Sequence, residues 1–440
     1  MNGTIDNKSI KNEGTKSERT GNGSSMKPLR NDCFALPPGV NWTPVDEALE
    51  RLRSRLHPVV AVERDVPLSQ MNGRILASDV HAPRAHPPSS NSAVDGYAFA
   101  GPLTEVPCTL PLVDGRSAAG EPYRDRVPAG HAIRILTGAV MPAGTDTVVL
   151  EEDCEVIDGQ LHLNGTLKAG ANRRLAGEDI QAQDRILSAG TRLTPTQISV
   201  LASVGVESVD VYQRLRVGVL STGDEVKPVG SPVTDWQIYD ANRPMLSALV
   251  TQLGYELVDL GHALDRAEDV TAALERGAEQ CDLILTSGGV SAGDEDHVSK
   301  TLKAHGEISN WRIAIKPGRP LALAMFKGTP VVGLPGNPVA AWVCALRFGA
   351  PAMALLAGAE WFEPQGYLVP ANFSKNKKPG RSEMLRARVR DGQVEVFGSE
   401  GSGRVTGLAW SEGLVDLDES ARQIEPGTPV RFIPYGSFGL

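Results

Sequence analysis

The stretch Cys281-Asp-Leu-Ile-Leu-Thr-Ser-Gly-Gly-Val-Ser-Ala-Gly-Asp-Glu-Asp-His297 decides the fold of the longest segment of the chain. Its apolar run, residues 283–285, is typical of a parallel strand that is covered on both faces. The strand is expected to end at Ser287, where a glycine-rich loop begins. We therefore place this strand at the floor of a site.

The loop after this strand combines glycines with acids. Gly288 and Gly289 lack side chains, so the backbone can turn tightly and present N–H groups to a bulky anion. The acids at 294–296 then begin a helix predicted over residues 297–305. This combination indicates phosphate together with a divalent cation. A surface turn followed by a capped helix explains the same residues, and the stretch alone does not decide between the two.

Strands and helices alternate on both sides of this stretch, from residue 215 to about 361. Predicted strands begin near Val217 and Leu257, and predicted helices cover residues 242–253 and 268–279. Such alternation predicts a three-layer α/β/α domain with a mostly parallel sheet, whose ligands bind at the carboxyl ends of the strands. The fold class is therefore α/β and multidomain.

The remaining segments predict different structures. Residues 1–30 are polar and glycine-rich, as in a disordered tail. Thr43 is expected to cap a helix that runs to about Leu56, and Thr194-Pro195 to begin another. A β hairpin is predicted to turn at Asp158-Gly159 and a second at Asp391-Gly392. The predicted domains are a tail (1–30), a discontinuous elongated mixed domain (31–90 and 174–215), an inserted β-rich domain (91–173), the α/β/α domain (216–362) and a C-terminal β-barrel (363–440).

Composition limits the function. The formal charge is −9 over 440 residues, which argues against a general binder of nucleic acid or of membrane surfaces. The five cysteines are widely spaced and form no C-x-x-C pair, so we expect reduced thiols and a cytoplasmic protein. The longest apolar stretch, residues 339–357, contains Arg347 and Pro351 and predicts a buried helix pair.

Three acids follow three predicted strand ends, namely Glu225, Asp265 and Asp296. Parallel strands end on one edge of a sheet, so these acids should share a rim. Oxygen ligands of this kind suit Mg²⁺, which binds one or two carboxylates together with phosphate. Each acid alone is more often a helix cap, but the set of three favours a metal or substrate role.

Cations are expected nearby on the stretch Trp311-Arg312-Ile-Ala-Ile-Lys316-Pro-Gly-Arg319. A strand there would put Arg312 and Lys316 on one face, where they could neutralise a pyrophosphate or an oxyanion. A solvated strand edge is the alternative. Neither a Ser-His-Asp arrangement nor a metal-spaced histidine pair nor a P-loop is evident in the sequence.

Seven motifs, taken in order, carry a family resemblance. They are Val94-Asp95-Gly-Tyr-Ala, Leu136-Thr137-Gly-Ala, Gly177-Glu-Asp179, Ser221-Thr-Gly-Asp-Glu225, Ser287-Gly-Gly-Val-Ser291, Lys316-Pro-Gly-Arg319-Pro and Leu334-Pro-Gly-Asn-Pro338. The ordered set strongly resembles the molybdopterin molybdenumtransferases, which insert molybdenum during molybdenum cofactor synthesis and are related to the gephyrin E domain. The resemblance covers roughly residues 42–436.

The resemblance implies a homodimer of elongated four-domain subunits and a Mg²⁺-dependent transfer of molybdate into adenylylated molybdopterin with release of AMP. Other proteins of molybdenum cofactor synthesis are further candidate partners. It places catalytic roles on Asp95, Thr137, Asp179, Glu225, Asp265 and Asp296, the last three of which would be the metal ligands. Substrate binding would fall on Arg174, Ser287, Gly288, Gly289, Ser291, Arg312, Lys316, Arg319, Pro335, Pro338, Arg381 and Ser402. Arg312 and Arg319 stand where relatives often carry lysine, which keeps the charge but changes the hydrogen-bond geometry.

Two alternative functions remain at this point. A related sheet domain serves as molybdopterin adenylyltransferase, but the loop of that enzyme typically reads Gly-Gly-Thr-Gly, whereas this chain has Gly288-Gly-Val-Ser291. A non-enzymatic scaffold, as gephyrin also is, would bind a partner peptide beside the C-terminal domain. We expect no attached second sheet domain, which weakens that alternative.

Overall fold

The computed structural model describes residues 42–289, 297–318 and 320–440. Its first helix is α1 (Val45–Arg55), close to the predicted bounds. The N-cap of α1 is Pro44 and makes no side-chain cap hydrogen bond, so the predicted cap at Thr43 is wrong. The backbone of Thr43 instead bridges to Ile313, and its carbonyl accepts a hydrogen bond from the Ala314 N–H at 2.8 Å.

The next part of the chain is mostly β structure with one helix. Its elements are β1 (Val62–Pro67), β2 (Val80–His81), β3 (Asn91–Ser92), β4 (Gly96–Phe99), β5 (Cys108–Ser117), β6 (Ala132–Ile135), β7 (Thr147–Leu150), β8 (Cys154–Ile157), β9 (Gln160–Leu163), β10 (Arg173–Arg174), β11 (Arg185–Leu187), α2 (Pro195–Ser203) and β12 (Ser208–Tyr212). The hairpin predicted at Asp158-Gly159 is confirmed as β8–β9. The predicted start of α2 is confirmed too, because Thr194 and Gln197 form a capping box.

Pairing in this part is nested. Strand β1 pairs with β12 and β2 pairs with β11, so the two ends of the segment lie side by side. Between them, six strands form one sheet in the order β7-β4-β6-β5-β9-β8. The outer pairs share a buried core that includes Met71 and Leu201, whereas the six-stranded sheet has buried clusters of its own.

The α/β segment follows. Its elements are β13 (Arg216–Thr222), β14 (Val226–Lys227), β15 (Ile238–Tyr239), α3 (Asn242–Gln252), β16 (Glu256–Ala263), α4 (Ala267–Gln280), β17 (Leu283–Ser287), α5 (His297–His305), β18 (Gly306–Arg312), β19 (Ile315–Lys316), β20 (Pro320–Phe326), β21 (Thr329–Leu334), α6 (Pro338–Cys344) and α7 (Ala350–Leu356). The sheet order is β16-β13-β17-β21-β20-β18. The first four strands are parallel, whereas β20 and β18 are each antiparallel to their neighbour.

Helices cover both faces of this sheet. Leu283 and Leu285 of β17 are buried in one cluster with Leu246 of α3, and Ile284 is buried in a second cluster with Leu302 of α5. Successive side chains of a strand point to opposite faces, so this division reflects two apolar layers around one sheet. Helix α1 packs into the first of these clusters.

The apolar stretch forms one continuous helix, Pro338–Leu356, rather than a helix pair. A π-helical turn, Ala345–Gly349, joins α6 to α7 and ends two residues before Pro351. Proline has no N–H and its ring crowds the preceding turn, which the wider π turn relieves. The helix is long and apolar enough to cross a membrane, but 89% of its most apolar window is buried inside the protein, as in a core helix.

The predicted strand through Arg312, Ala314 and Lys316 is wrong. Strand β18 ends at Arg312, and Ile315–Lys316 pairs with Ser382 and Glu383 in a different sheet. The bridge to Thr43 lies between the two strands. Arg312 and Lys316 therefore do not share a strand face.

The last segment is a small β structure. Its elements are β22 (Tyr367–Pro370), β23 (Lys375–Lys377), β24 (Ser382–Arg390), β25 (Gln393–Val396), α8 (Thr406–Trp410), β26 (Gly413–Leu417), β27 (Arg422–Ile424) and β28 (Pro429–Pro434). The predicted hairpin at Asp391-Gly392 is confirmed as β24–β25. The path β25-β24-β26-β28-β22 returns to its start through a bridge between Ala371 and Val394.

Candidate functional site

An open cavity of about 440 Å³ lies at the carboxyl ends of β13, β17 and β21. These strands are adjacent and parallel, so the loops that follow them meet on one edge of the sheet. Seven of the sequence-predicted site residues line this cavity: Glu225, Asp265, Ser287, Gly288, Gly289, Pro335 and Pro338. The structure thus brings together the glycine loop, two of the rim acids and the turn before α6.

The glycine loop is shaped by close backbone contacts. Gly288 has φ +94°, and its N–H donates to the Leu334 carbonyl at 3.2 Å. A Cβ atom on Gly288 would lie 2.6 Å from the Thr222 carbonyl oxygen, and one on Gly289 would lie 2.5 Å from Val298 Cγ2. The loop can therefore approach β13 this closely only because these two positions carry no side chain.

Polar side-chain atoms of the cavity wall lack partners in the described part of the protein. They are Ser221 Oγ, Thr222 Oγ1 and Asn242 Oδ1, each of which is buried. The amide nitrogen of Asn242 donates to Ser287 Oγ at 2.7 Å and to the Gly336 carbonyl at 2.6 Å. Buried polar atoms are normally hydrogen-bonded, so this wall fits a polar ligand. Sequence reasoning missed Asn242, whose only signal was an asparagine at a helix start.

The carboxylates of the cavity repel one another. The backbone N–H of Asp265 donates to Asp224 Oδ1 at 3.1 Å, and Glu225 directly follows Asp224 in the chain. Partial burial raises the pKa of Asp265, and the charges of Asp224 and Glu225 raise it further. A bound cation would relieve both the burial cost and the repulsion, so Glu225 and Asp265 fit a hard divalent ion.

Part of the predicted metal set lies outside the described residues. Asp296 and Ser291 belong to the segment 290–296, and Arg319 is likewise not described. Within residues 42–289, 297–318 and 320–440, no group of three or more His, Cys, Asp or Glu side chains is arranged to hold a metal ion. The metal assignment of Glu225, Asp265 and Asp296 therefore stays a prediction.

A second group of predicted residues lies on the β-rich insert. Asp95 Oδ1 accepts hydrogen bonds from the Thr137 N–H at 2.6 Å and from Thr137 Oγ1 at 2.7 Å. These bonds, with a smaller contribution from Arg134, lower the pKa of Asp95. The pair forms because Gly96 and Ile135 are partners in β4 and β6, which places both residues at one sheet edge.

Arg174 and Asp179 lie just after the insert in the chain and are held by backbone contacts to residues 86–91. Arg174 pairs with Asn91, which is bridged on its other side to Val140, three residues after Thr137. The Asp179 N–H donates to the His86 carbonyl at 3.3 Å. Neither of these residues, nor Asp95 and Thr137, lines the cavity that holds Glu225 and Asp265.

Two acids contact the ammonium of Lys316. Its ammonium lies 2.6 Å from Glu400 and 3.6 Å from Glu383, and both of these carboxylates also pair with Lys375. Sequence reasoning missed these acids, which come from the C-terminal segment. For Arg312 only the backbone position, at the end of β18, is described.

The two remaining predicted residues lie where the C-terminal segment meets the α/β segment. The carbonyl of Ser402 accepts a hydrogen bond from the Val339 N–H at 3.2 Å, in the first turn of α6. The guanidinium of Arg381 lies over the ring of Trp42, 5.7 Å from its centre. Neither Ser402 nor Arg381 lines the cavity, but the hydrogen-bond partner of Ser402 directly follows Pro338, which does line it.

Comparison with known protein families finds three matches along the chain. Residues 43–205 match the MoeA N-terminal region (domain I and II), residues 218–354 match a probable molybdopterin binding domain, and residues 369–435 match the MoeA C-terminal region (domain IV). The matches follow one another in chain order and leave only short gaps.

Curated relatives and solved structures agree with these matches. A molybdopterin molybdenumtransferase of Haemophilus influenzae is 35% identical over 399 residues, which covers 89% of this chain and 98% of the relative. One of Nostoc sp. is 34% identical over 380 residues, covering 83% and 87%. The crystal structure of the molybdopterin biosynthesis MoeA protein from Pyrococcus horikoshii OT3 superposes with a TM-score of 0.77 at 26% identity, covering 90% of this chain and 100% of that one. The chain therefore belongs to the molybdopterin molybdenumtransferase family.

Proposed function

We propose that the protein inserts molybdate into adenylylated molybdopterin and releases AMP. The observation that carries this proposal is the cavity at the carboxyl edge of the sheet, where a glycine loop, two carboxylates and unpartnered polar atoms converge. The first feature suits a phosphate, the second a divalent cation and the third a polar ring or hydroxyl group.

The reaction has two parts. The two thiols of the substrate bind molybdenum through sulfur, and one molybdate oxygen leaves as water with the two thiol protons. A second water cleaves the phosphoanhydride and gives AMP and the phosphate of the pterin product. All thiol chemistry comes from the substrate, so no cysteine of this chain takes part. Burial raises the pKa of Cys281 to about 11 and that of Cys344 to about 12, which keeps both thiols protonated and unreactive.

Glu225 and Asp265 would hold Mg²⁺, with Asp296 as the third expected ligand. When bound, Mg²⁺ supplies Lewis-acid polarisation of phosphate oxygens. The glycine loop binds the anhydride through backbone N–H groups other than that of Gly288, which donates to the Leu334 carbonyl. Asn242 holds Ser287 and the turn at Gly336 in place around the anhydride. The Asp95–Thr137 pair, Arg174 and Asp179 complete the site in a homodimer, where the insert and the flanking mixed domain of one subunit face the cavity of the other.

Exposed apolar side chains near these residues support such a dimer. Val140 and Leu175 are apolar side chains beside Thr137 and Arg174, and they are 41% and 49% exposed. A partner subunit would cover them. We place this activity in the cytoplasm, which the four free cysteines of the described residues support.

The test is a reconstitution with purified protein, adenylylated molybdopterin, molybdate and Mg²⁺. We expect AMP to appear in proportion to molybdenum bound to the pterin, and only when molybdate is present. ATP consumption with unadenylylated molybdopterin would identify an adenylyltransferase instead. Absence of both reactions in folded protein would favour the scaffold alternative.

Replacing Gly288 with alanine should reduce this activity strongly. The added Cβ would meet the Thr222 carbonyl, and the positive φ would add backbone strain of about 1–3 kcal/mol. Gly328→Ala is the matched control, because Gly328 has φ +85° but nothing within 4 Å of its Cβ position. Both variants should lose some thermal stability, and only Gly288→Ala should lose AMP release. Equal activity of the two would contradict the role of the loop.

A further inference from the structure

Arg386 is a buried cation that the proposed reaction leaves unexplained. It lies in β24, only 4% exposed, and none of the described carboxylates forms an ion pair with it. Burial lowers the pKa of its guanidinium. Burying a charge is costly unless its donors are satisfied, so its hydrogen bonds indicate what it does.

The side-chain hydrogen bonds of Arg386 in the described part of the protein all go to one loop, residues 398–405. The guanidinium donates to the carbonyl oxygens of Ser399 and Arg404, and to that of Gly401 at 3.2 Å. It also lies 4.8 Å from the centre of the Phe397 ring. A planar fork of five N–H donors can hold three carbonyls at once, which a lysine ammonium on a flexible stem does less well.

The surrounding backbone leaves room for this guanidinium. Gly407 lies in α8, and a Cβ atom there would be 2.5 Å from Arg386 Nη1 and 2.7 Å from Phe397 Cδ1. The Phe397 N–H donates to the Arg386 carbonyl at 2.9 Å. The guanidinium of Arg386 is therefore enclosed by β24, by Phe397 after β25 and by Gly407 of α8.

The loop connects to predicted substrate-binding residues in two directions. Its Glu400 pairs with Lys316 at 2.6 Å, beside a cavity of about 210 Å³ that Arg386 also lines. The carbonyl of its Ser402 accepts a hydrogen bond from the Val339 N–H, next to Pro338, which lines the cavity that holds Glu225 and Asp265. A shift of this loop would move Lys316 and the start of α6 together.

We propose that Arg386 is a positioning residue that fixes the loop 398–405, and through it Lys316 and Ser402, for binding of the anionic substrates. This inference rests on the proposed function. Arg386 itself contacts neither cavity acid, so its effect on the reaction is transmitted by the loop.

The test compares full-length Arg386→Gln and Arg386→Lys with Arg388→Gln. Arg388 is two residues further along the same strand, where it pairs with Glu395 at 3.1 Å and lies 4.4 Å from the centre of the Trp410 ring. AMP release is measured over a range of molybdate and of adenylylated molybdopterin concentrations. We expect Arg386→Gln to raise the KM of at least one of these anions by about 10-fold to about 100-fold, with a smaller change in kcat.

Arg386→Lys should recover part of this loss, and Arg388→Gln should show none of it. KM values within twofold of wild type in folded Arg386→Gln would overturn the proposal. If that variant does not fold, Gly407→Ala displaces the guanidinium without removing it and should raise the same KM.

Hydrogen exchange gives a readout that does not depend on the reaction. The amides of residues 398–405 should exchange faster in Arg386→Lys than in wild type, and should be unchanged in Arg388→Gln. Faster exchange without activity in wild type would support the positioning role while refuting the proposed function. Unchanged exchange would refute the positioning role.

Discussion

Asp265→Asn should abolish AMP release while the protein stays folded. Asparagine keeps the size of the side chain but removes the charge with which Asp265 would bind the proposed Mg²⁺. Loss of groups that only support metal ligands already costs about 10-fold to 100-fold, so loss of a ligand should exceed about 100-fold. Asp296→Asn is expected to behave in the same way.

The thermal stability of Asp265→Asn should not fall with its activity. Because burial, Asp224 and Glu225 raise the pKa of Asp265, its proton is held more tightly in the folded than in the unfolded state. Its favourable contribution is complete below the unfolded pKa and is lost as the pH rises through the folded pKa. At neutral pH without metal, Asp265→Asn should therefore melt at the same temperature as wild type or slightly higher.

The dependence on Mg²⁺ and on pH distinguishes loss of metal binding from misfolding of the variant. Mg²⁺ should raise the melting temperature of wild type but not of Asp265→Asn. As the pH falls through the raised pKa of Asp265, Mg²⁺ binding by wild type should weaken, because the proton competes with the ion. The matched control is Glu256→Gln, at the opposite end of β16, which should keep activity and the Mg²⁺ response. Unchanged turnover in Asp265→Asn would remove Asp265 from the metal site.

Local patterns predicted the floor of the site. The apolar run at 283–285 is β17, and the glycines after it turn as expected, because burial on both faces and positive φ leave direct marks in a sequence. The closeness of Glu225 and Asp265 could be predicted from the alternation of strands and helices, because neighbouring parallel strands end at the same edge of a sheet. The hairpins at Asp158 and Asp391 followed from their turn residues, both of which have positive φ.

Long-range pairing was beyond those patterns. The alternation from Arg312 to Lys316 suggested one strand, but the chain leaves one sheet and joins another after bridging to Thr43, about 270 residues earlier. The partner of Lys316 is Glu400, 84 residues away. Arg386 is one of three arginines in β24, so its residue type did not single it out, and its partners are backbone carbonyls, which no residue type reveals.

The second large effect should come from mixing two inactive chains. Asp95→Ala removes the acceptor of the two Thr137 hydrogen bonds on the insert, and Asp265→Ala removes a cavity acid. If the insert of one subunit completes the cavity of the other, each homodimer of these variants has two damaged sites. A heterodimer has one doubly damaged site and one intact site, because two-fold symmetry makes two equivalent composite sites.

Activity should therefore return to about half of wild type per heterodimer, or about a quarter after equal mixing with complete exchange of subunits. Tagging the two chains differently and purifying dimers that carry both tags measures this directly. Mixing either variant with itself is the control and should restore nothing. Inactive heterodimers, with each parent folded and dimeric, would mean that Asp95 and Asp265 act within one chain. Asp95 and Thr137 do not line the cavity that holds Asp265. Restored activity would mean that they nevertheless belong to the same site, with the two parts supplied by different subunits.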